Sequence, residues 1–411
     1  MASQISKILV VSSKYPPEYS GSGHRAHQTY KRLQKKFNIQ FDVLAGSIIE
    51  NKSALYTYDG VKVFRIANKL LPHQSLQPWE KSVLIEKLAL RLNYLTEAMP
   101  TLDFLRKNHK KYDLIHVFGN VAVTSAAITF CNWQHKPLIV EMTYDSRPQQ
   151  YKPFMMRWLD RDRSGFHAKT QIVCISKRLE NICRESGVHQ TIWTRPNPVD
   201  TNLFCVDRQR KSGYRSRNSR FKESDIVLVN VAKFMPLKNQ DFLIEVLKML
   251  PEKYKLVLAG PLVKEGPNAE RDQKFMRLIE QKIAEYRLGP RVQIKEGYIE
   301  AAHEYIKMAD VYTFPSKMEG LGTPMIESIC CGVPVVANRL EGVTDAWIKE
   351  GENGYLSLLD SKKFAVKVEQ AAVLPENLLN KSAQELQTIA GAEHIDREYY
   401  RIIQSLINKS F

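Results

Sequence analysis

The chain has 411 residues, with 60 Lys and Arg against 44 Asp and Glu for a formal net charge of +16. That length suits two compact domains of about 200 residues each, and a 44% hydrophobic, 9% aromatic composition excludes wholesale disorder. The six cysteines are scattered, with no CxxC pair and no Cys/His cluster, which argues against a disulfide framework and a structural zinc site.

The opening residues lack a long apolar stretch with a small-residue cleavage site, so no signal peptide is expected. No apolar run approaches the roughly 20 residues that a membrane-spanning helix needs, and a cytoplasmic location is expected. Residues 7–12 form a short apolar run, followed by Pro16-Pro17, Gly21-Ser22-Gly23 and a helical stretch from about His24 to Lys36. Strand, glycine loop and helix in that order predict the first unit of a doubly wound sheet. Apolar runs return at Phe41–Ala45, Asp113–Phe118, Pro137–Glu141 and Gln171–Ser176, as strands buried on both faces require. Cys205–Lys222, rich in Arg, Ser and Gly, reads as a basic linker or exposed insertion. A second series of strands follows at Asp225–Val231, Lys255–Gly260, Val292–Ile294, Val311–Phe314 and Pro334–Ala337, and Lys381–Asn408 has helical spacing. The expected fold class is α/β, with a first domain over 1–204, a linker over 205–222 and a second domain over 223–385. A C-terminal helix, about 386–411, is expected to pack back on the first domain.

Charge divides along the same line. Residues 1–200 hold 29 basic against 16 acidic residues, whereas 223–411 hold 24 against 27. The first half should therefore be drawn to something anionic: a lipid surface, nucleic acid or a phosphorylated acceptor.

The most informative stretch is 311–337, VYTFPSKMEGLGTPMIESICCGVPVVA. A strand ends at Pro315-Ser316, and a loop carries Glu319, Gly320, Leu321 and Gly322. Thr323 is placed to cap a helix that begins at Pro324, and Gly332 ends it. Open N–H groups at a helix start, beside glycines that allow close approach, form an anion site. Glu327 is expected in the first turn, facing the same loop mouth as Glu319. The plainer reading makes Glu327 a helix-dipole partner and Glu319 a solvated loop acid.

The string as a whole, Glu-Gly-Leu-Gly-Thr-Pro, then Glu, then Cys-Gly-Val-Pro-Val, resembles the E-x7-E signature of retaining GT-B glycosyltransferases of family 4, the glycosyl transferases group 1. Val229–Asn239 is similar to the family's strand and loop that bring two basic residues to a donor diphosphate. Pro196-Asn-Pro-Val-Asp-Thr-Asn-Leu-Phe204 resembles its interdomain segment, and Ile172–Lys177 and Leu258–Pro261 also fit. The resemblance implies two Rossmann-like domains facing across a cleft, and a sugar transfer from a UDP- or GDP-linked donor with no further cofactor. It implies that Glu327 binds the ribose hydroxyls, while Glu319 and the backbone of Gly320–Thr323 hold the sugar and the phosphate edge. Lys233 and Lys238 would stabilise the departing diphosphate; the plainer reading is two solvated surface lysines. The family usually has arginine at the first of these positions, so the bidentate fork is lost. Gly21 and Gly23 would approach the phosphate from the first domain.

Many relatives carry a histidine after the strand at Glu141, where this chain has Thr143-Tyr144, so no histidine role is transferred. Asp145 and Arg147 are candidate acceptor contacts, and so is His116, which reads equally as a packed histidine hydrogen-bonded to backbone. Asp160-Arg161-Asp162 has the bare spacing of a metal-binding pair but lies in an Arg-rich helical segment, and no metal is expected. The resemblance also places the acceptor, a glycan or a lipid-linked sugar of a cell-surface polysaccharide or glycolipid, on the basic half. Clusters at Lys31–Phe37, Arg106–Tyr112 and Lys152–Arg163 suggest peripheral docking on the inner face of an anionic membrane; otherwise each is a solvated helix face. Two other readings compete: an epimerase-like enzyme on the same fold, and a basic nucleic-acid-binding protein without catalysis. The second would need stacking aromatics among its basic clusters; no RNA-binding signature is present, and nucleic acid is not expected as a partner.

Overall fold

A computed structural model describes residues 5–18, 20–47, 50, 52–67, 83–143, 166–265 and 268–408, with backbone alone over 83–93. The chain divides into two compact units, one formed by Met1–Arg195 with Asp396–Phe411 and the other by Pro196–Ile395.

The first unit contains β1 (Ser6–Ser12), α1 (Gly21–Lys36), β2 (Ile39–Ala45), β3 (Ala54–Tyr58), β4 (Val61–Arg65), α2 (Val83–Asn108), β5 (Leu114–Phe118), α3 (Ala122–Gln134), β6 (Leu138–Met142), β7 (Thr170–Cys174), α4 (Lys177–Glu185) and β8 (Ile192–Thr194). Its strands lie in the order β3-β4-β2-β1-β5-β6-β7-β8. Neighbours pair in parallel except β3 with β4, which are antiparallel. Asp59 and Gly60 link that pair with φ of 46° and 74°, the geometry a two-residue hairpin needs. The fully buried core strands β5, β6 and β7 match the near-continuous apolar runs of the sequence.

A polar network lies inside this unit. Glu141 on β6 is 1% exposed and accepts two hydrogen bonds from Arg195 Nη2, at 3.1 and 2.9 Å. His116 on β5 stands 3.3 Å from the same carboxylate through Nε2 and 2.7 Å from the Tyr30 hydroxyl through Nδ1. The hydroxyl of Tyr399, in the C-terminal helix, joins both Glu141 and Arg195. Burial alone would raise the Glu141 carboxyl, but the Arg195 guanidinium and the His116 hydrogen bond hold it at about 2. Asp396, itself completely buried, pairs with the partly exposed Arg32 and Lys36 of α1, each at 3.0 Å. These contacts tie the segment from Asp396 onward to the first unit.

The second unit contains α5 (Lys211–Asn218), β9 (Ile226–Val231), α6 (Gln240–Met249), β10 (Tyr254–Gly260), α7 (Ala269–Glu285), β11 (Val292–Glu296), α8 (Ala302–Lys307), β12 (Val311–Phe314), α9 (Thr323–Cys330), β13 (Val335–Asn338), β14 (Gly354–Ser357), α10 (Ser361–Ala371) and α11 (Glu376–Ala390). α12 (Ala392–Asn408) follows Gly391 and runs on into the segment grouped with the first unit. All six strands are parallel, in the order β11-β10-β9-β12-β13-β14. The core packs Phe242, Leu243 and Leu247 of α6 against Phe275 and Ile279 of α7 and Phe364 and Val368 of α10. Each such side chain contributes roughly 1.5–3 kcal/mol by leaving water.

Two expectations change here. The division falls after Arg195 rather than near residue 204, so Pro196–Phe204 belongs to the second unit. Cys205–Lys222 is no linker. It folds into a short turn and α5, and Arg215 is 5% exposed, donating to the carbonyls of Lys222, Glu223, Asp225 and Met308 and to the Asp310 carboxylate. A composition rich in Arg and Ser resembled exposed chain, but one of those arginines is the unit's internal clamp. Among the described residues no helix is long and apolar enough to cross a membrane.

Candidate functional site

In the second sheet the winding direction reverses between β9 and β12, and ligands of open parallel sheets bind beyond the carboxyl ends of strands at such a point. The loops that leave these two strands carry the lysines and the glutamates respectively. They are joined directly: Lys317 N donates to Leu237 O at 2.9 Å and Asn239 Nδ2 to Pro315 O at 3.3 Å. Asn239 takes the left-handed conformation at φ 58°, which Asn tolerates, and so starts α6 after the turn Pro236–Lys238.

Lys238 and Glu319 meet across these loops, with Nζ 2.5 Å from Oε1. The pair is largely withdrawn from water, with side-chain exposures of 25% and 12%. Lys233, at the end of β9, points its ammonium to Asp272 Oδ2 at 3.0 Å. Asp272 is fully buried at the start of α7 and was not recognised from the sequence. Its only signal there was an acid near a helix start, where dipole compensation is sufficient explanation.

α9 begins differently from the expected cap. Gly322, at φ 79°, is the N-cap, and Thr323 is the first helical residue. A Cβ on Gly322 would lie 2.8 Å from Phe314 Cζ, so the left-handed turn also needs the missing side chain. Thr323 Oγ1 accepts from Asn197 Nδ2 at 2.8 Å, which accounts for the Asn of the Pro196–Phe204 motif. The backbone N–H groups of Gly320, Leu321, Gly322 and Thr323 make no hydrogen bond within the described residues. They are open donors beside the positive end of a helix.

Glu327 is the fifth residue of α9, one residue further in than expected and just past the first turn. Burial pushes its carboxyl up to about 7 from the usual 4.5. Its charge and that of Glu319 both act on the buried Tyr312 hydroxyl, whose own titration is raised chiefly by burial. Both carboxyls therefore lie within electrostatic reach of the Tyr312 hydroxyl. Among the described residues no group of three His, Cys, Asp or Glu side chains could hold a metal ion.

In the first unit, Gly21 and Gly23 open α1 rather than forming a loop, with Ser20 as N-cap accepting from Gly23 N at 2.9 Å. Gly23 is required by packing, since a Cβ would lie 2.3 Å from Lys14 O, while Gly21 faces open space. His116 is fully buried with both ring nitrogens engaged, which removes it from the candidate acceptor contacts. Asp145, Arg147, Asp160, Asp162 and the Lys152–Arg163 cluster lie outside the described residues.

Residues 215–382 match the model of the family described as glycosyl transferases group 1. The GDP-mannose-dependent alpha-(1-6)-phosphatidylinositol monomannoside mannosyltransferase of Mycolicibacterium smegmatis is 32% identical over 39% of this chain and 41% of its own length. An uncharacterized glycosyltransferase of Methanocaldococcus jannaschii is 21% identical over 98% of this chain and 99% of its own. The curated relatives matched at more than 30% identity are thus spanned over about two fifths of their length. Among solved structures, Anabaena HepE in complex with UDP and glucose has a TM-score of 0.69 at 16% identity, covering 97% of this chain and 100% of that one. Sucrose-phosphate synthase from Thermosynechococcus elongatus has a TM-score of 0.72 at 18% identity, covering 98% and 100%. At these identities the likeness to the solved structures is one of fold. The fold is the α/β fold of GT-B glycosyltransferases, and the family match and relatives support a group 1 glycosyltransferase.

Proposed function

We propose, on the footing of a glycosyl transferases group 1 domain, that the second unit binds a nucleoside-diphosphate sugar and that the protein transfers its hexosyl group with retention. The observation that carries this reading is the set of four open backbone donors at the start of α9, beside two lysines, at the switch point of a parallel sheet. A diphosphate satisfies such donors, and Glu327, once ionised, accepts from the vicinal hydroxyls of a ribose. Glu319 holds Lys238 in place and faces the sugar.

In the reaction, the bond between the anomeric carbon and the diphosphate oxygen breaks as the acceptor oxygen bonds to the same face of that carbon. The acceptor's proton passes to the departing phosphate oxygen. Lys233 and Lys238 offset the charge that develops on the leaving group, and preorganised charge of this kind is worth most in a site shielded from water. No residue acts as a covalent nucleophile, in contrast to a retaining glycosidase. HepE was solved with UDP and glucose and the mycolicibacterial relative is named for GDP-mannose, so the donor proposed is a UDP- or GDP-sugar.

The acceptor proposed is a glycan or lipid-linked sugar, in line with a relative that is named for a phosphatidylinositol mannoside. Exposed Lys35, Lys107, Lys110 and Lys111 would hold the first unit to an anionic membrane. Sedimentation with anionic liposomes at low salt tests that part, and unbound protein refutes it. The central test is calorimetry of UDP, GDP and ADP, without added metal, against wild type and Glu327→Ala. One nucleotide should bind wild type and be lost in the variant. No binding at millimolar concentration would overturn the donor site.

A further inference from the structure

Lys233 is the member of the lysine pair that stands where the resembled family usually has arginine. Its surroundings differ from those of Lys238 in one respect. Lys238 meets Glu319, a partly accessible acid of the same site, whereas Lys233 meets Asp272, which is completely buried and lies on a different element, α7.

The backbone of Lys233 is fixed from two sides. Ala232 N donates to Ala259 O at 2.9 Å and Phe234 N to Pro261 O at 3.0 Å, tying both neighbours of Lys233 to the end of β10. That approach is so close that a Cβ on Gly260 would lie 1.9 Å from Ala232 O. On the other side, Gln240 Nε2 donates to Lys233 O at 2.9 Å. What remains free is the four-carbon side chain, and a lysine stem has several rotamers to lose when it is held to one direction. Asp272 supplies that restraint.

The carboxylate is shared. Arg271 donates to Asp272 Oδ1 through Nε at 2.9 Å and Nη2 at 2.7 Å, while Oδ2 has no hydrogen-bond partner among the described residues and stands 3.0 Å from the Lys233 ammonium as an ion pair. Two cations on one anion leave the group with a net positive charge. Lys233 is therefore directed without being neutralised, and its side chain keeps 32% exposure towards solvent. Arginine can hold its direction through a planar fork of five donors, whereas an ammonium on a flexible stem needs an external guide.

We infer that Asp272 is a positioning residue that aims Lys233 at the donor diphosphate, with Arg271 balancing its charge. The inference rests on the donor-site reading of the second unit. Asp272 itself touches no substrate, because it is fully buried.

The test is calorimetry of whichever nucleoside diphosphate the wild-type protein binds, on Asp272→Asn, Lys233→Met and the double variant, with a thermal melt of each. Asp272→Asn should weaken binding roughly tenfold, about 1.4 kcal/mol. In the Lys233→Met background it should weaken binding no further, which a merely structural role would not produce. Since emptying a buried charge can unfold a protein, half-exposed Arg271 provides a second variant: Arg271→Ala leaves the whole Asp272 charge on Lys233 and should weaken binding about threefold. Unchanged or tighter binding by Asp272→Asn, or a full loss that persists without Lys233, overturns the inference. So does unchanged binding by Arg271→Ala. If wild type binds no nucleoside diphosphate, the donor-site reading itself fails, which is a separate outcome from any difference among the variants.

Discussion

Glu327→Gln should make the protein more stable at pH 8 while removing its affinity for nucleotide. Desolvation of the partly buried Glu327 pushes its carboxyl up to about 7 in the folded protein, against the usual 4.5. A raised carboxyl means that the folded state holds its proton more tightly than the unfolded state, so stability falls as pH rises from about 4.5 to 7. Below that window both states are protonated and nothing is lost; above it the whole penalty is present. At 1.36 kcal/mol per pH unit the penalty is at most about 3 kcal/mol at pH 8, and under about 1 kcal/mol at pH 5. Gln keeps the shape without the charge. In a domain of this size the gain raises the melting temperature by up to about 10 °C at pH 8, and the gain should shrink sharply at pH 5. Paired melts of the two proteins at both pH values measure it. The wild-type nucleotide affinity should move the other way, rising with pH through 7 as the carboxylate forms. Equal melting temperatures at pH 8, or a difference that does not shrink on acidification, would refute the burial account of Glu327.

Gly322→Ala forces a side chain into a left-handed conformation at φ 79° and against Phe314 Cζ, so a loss of about 2–4 kcal/mol in urea denaturation is expected, together with loss of nucleotide binding. Arg195→Met leaves the buried Glu141 without its guanidinium and should destabilise the first unit by about 3–5 kcal/mol by thermal melt at pH 7. Since the Glu141 carboxyl is held down to about 2, this difference should fade as pH drops from about 4.5 towards 2. Lys238→Met should lower kcat about a hundredfold with little change in melting temperature, because the cost of desolvating the largely withdrawn ion pair with Glu319 offsets most of its attraction.

Strand positions in both units were readable from the residues, because parallel strands buried on both faces have near-continuous apolar runs and helices between them do not. Val229–Val231 and Val311–Phe314 carried that signal, and so did the helix bounded by Gly322 and Gly332, whose glycines take φ of 79° and 67°. The hairpin Ala54–Arg65 was missed although Asp59-Gly60 is a hairpin signal, because its strands are half exposed and lack the near-continuous apolar runs that mark the buried parallel strands. Glu319, Glu327, Lys233 and Lys238 were legible through a motif resemblance, which names residues without placing them.

Placement was a matter of tertiary structure. The order β11-β10-β9-β12-β13-β14 brings the loops after residues 231 and 314 side by side, and nothing local to either loop encodes that. Only then do Lys238 and Glu319, 81 residues apart, form an ion pair. Asp272 becomes visible only as a partner of Lys233, since charge pairing across elements depends on distance through space. The same reason explains Arg215 and His116: composition and spacing read one as linker and the other as a site residue, and packing made both internal. The residues thus determined which segments form strands and which chemistry they carry, while the folded arrangement decided which charges meet, which are buried, and hence which are available to a ligand.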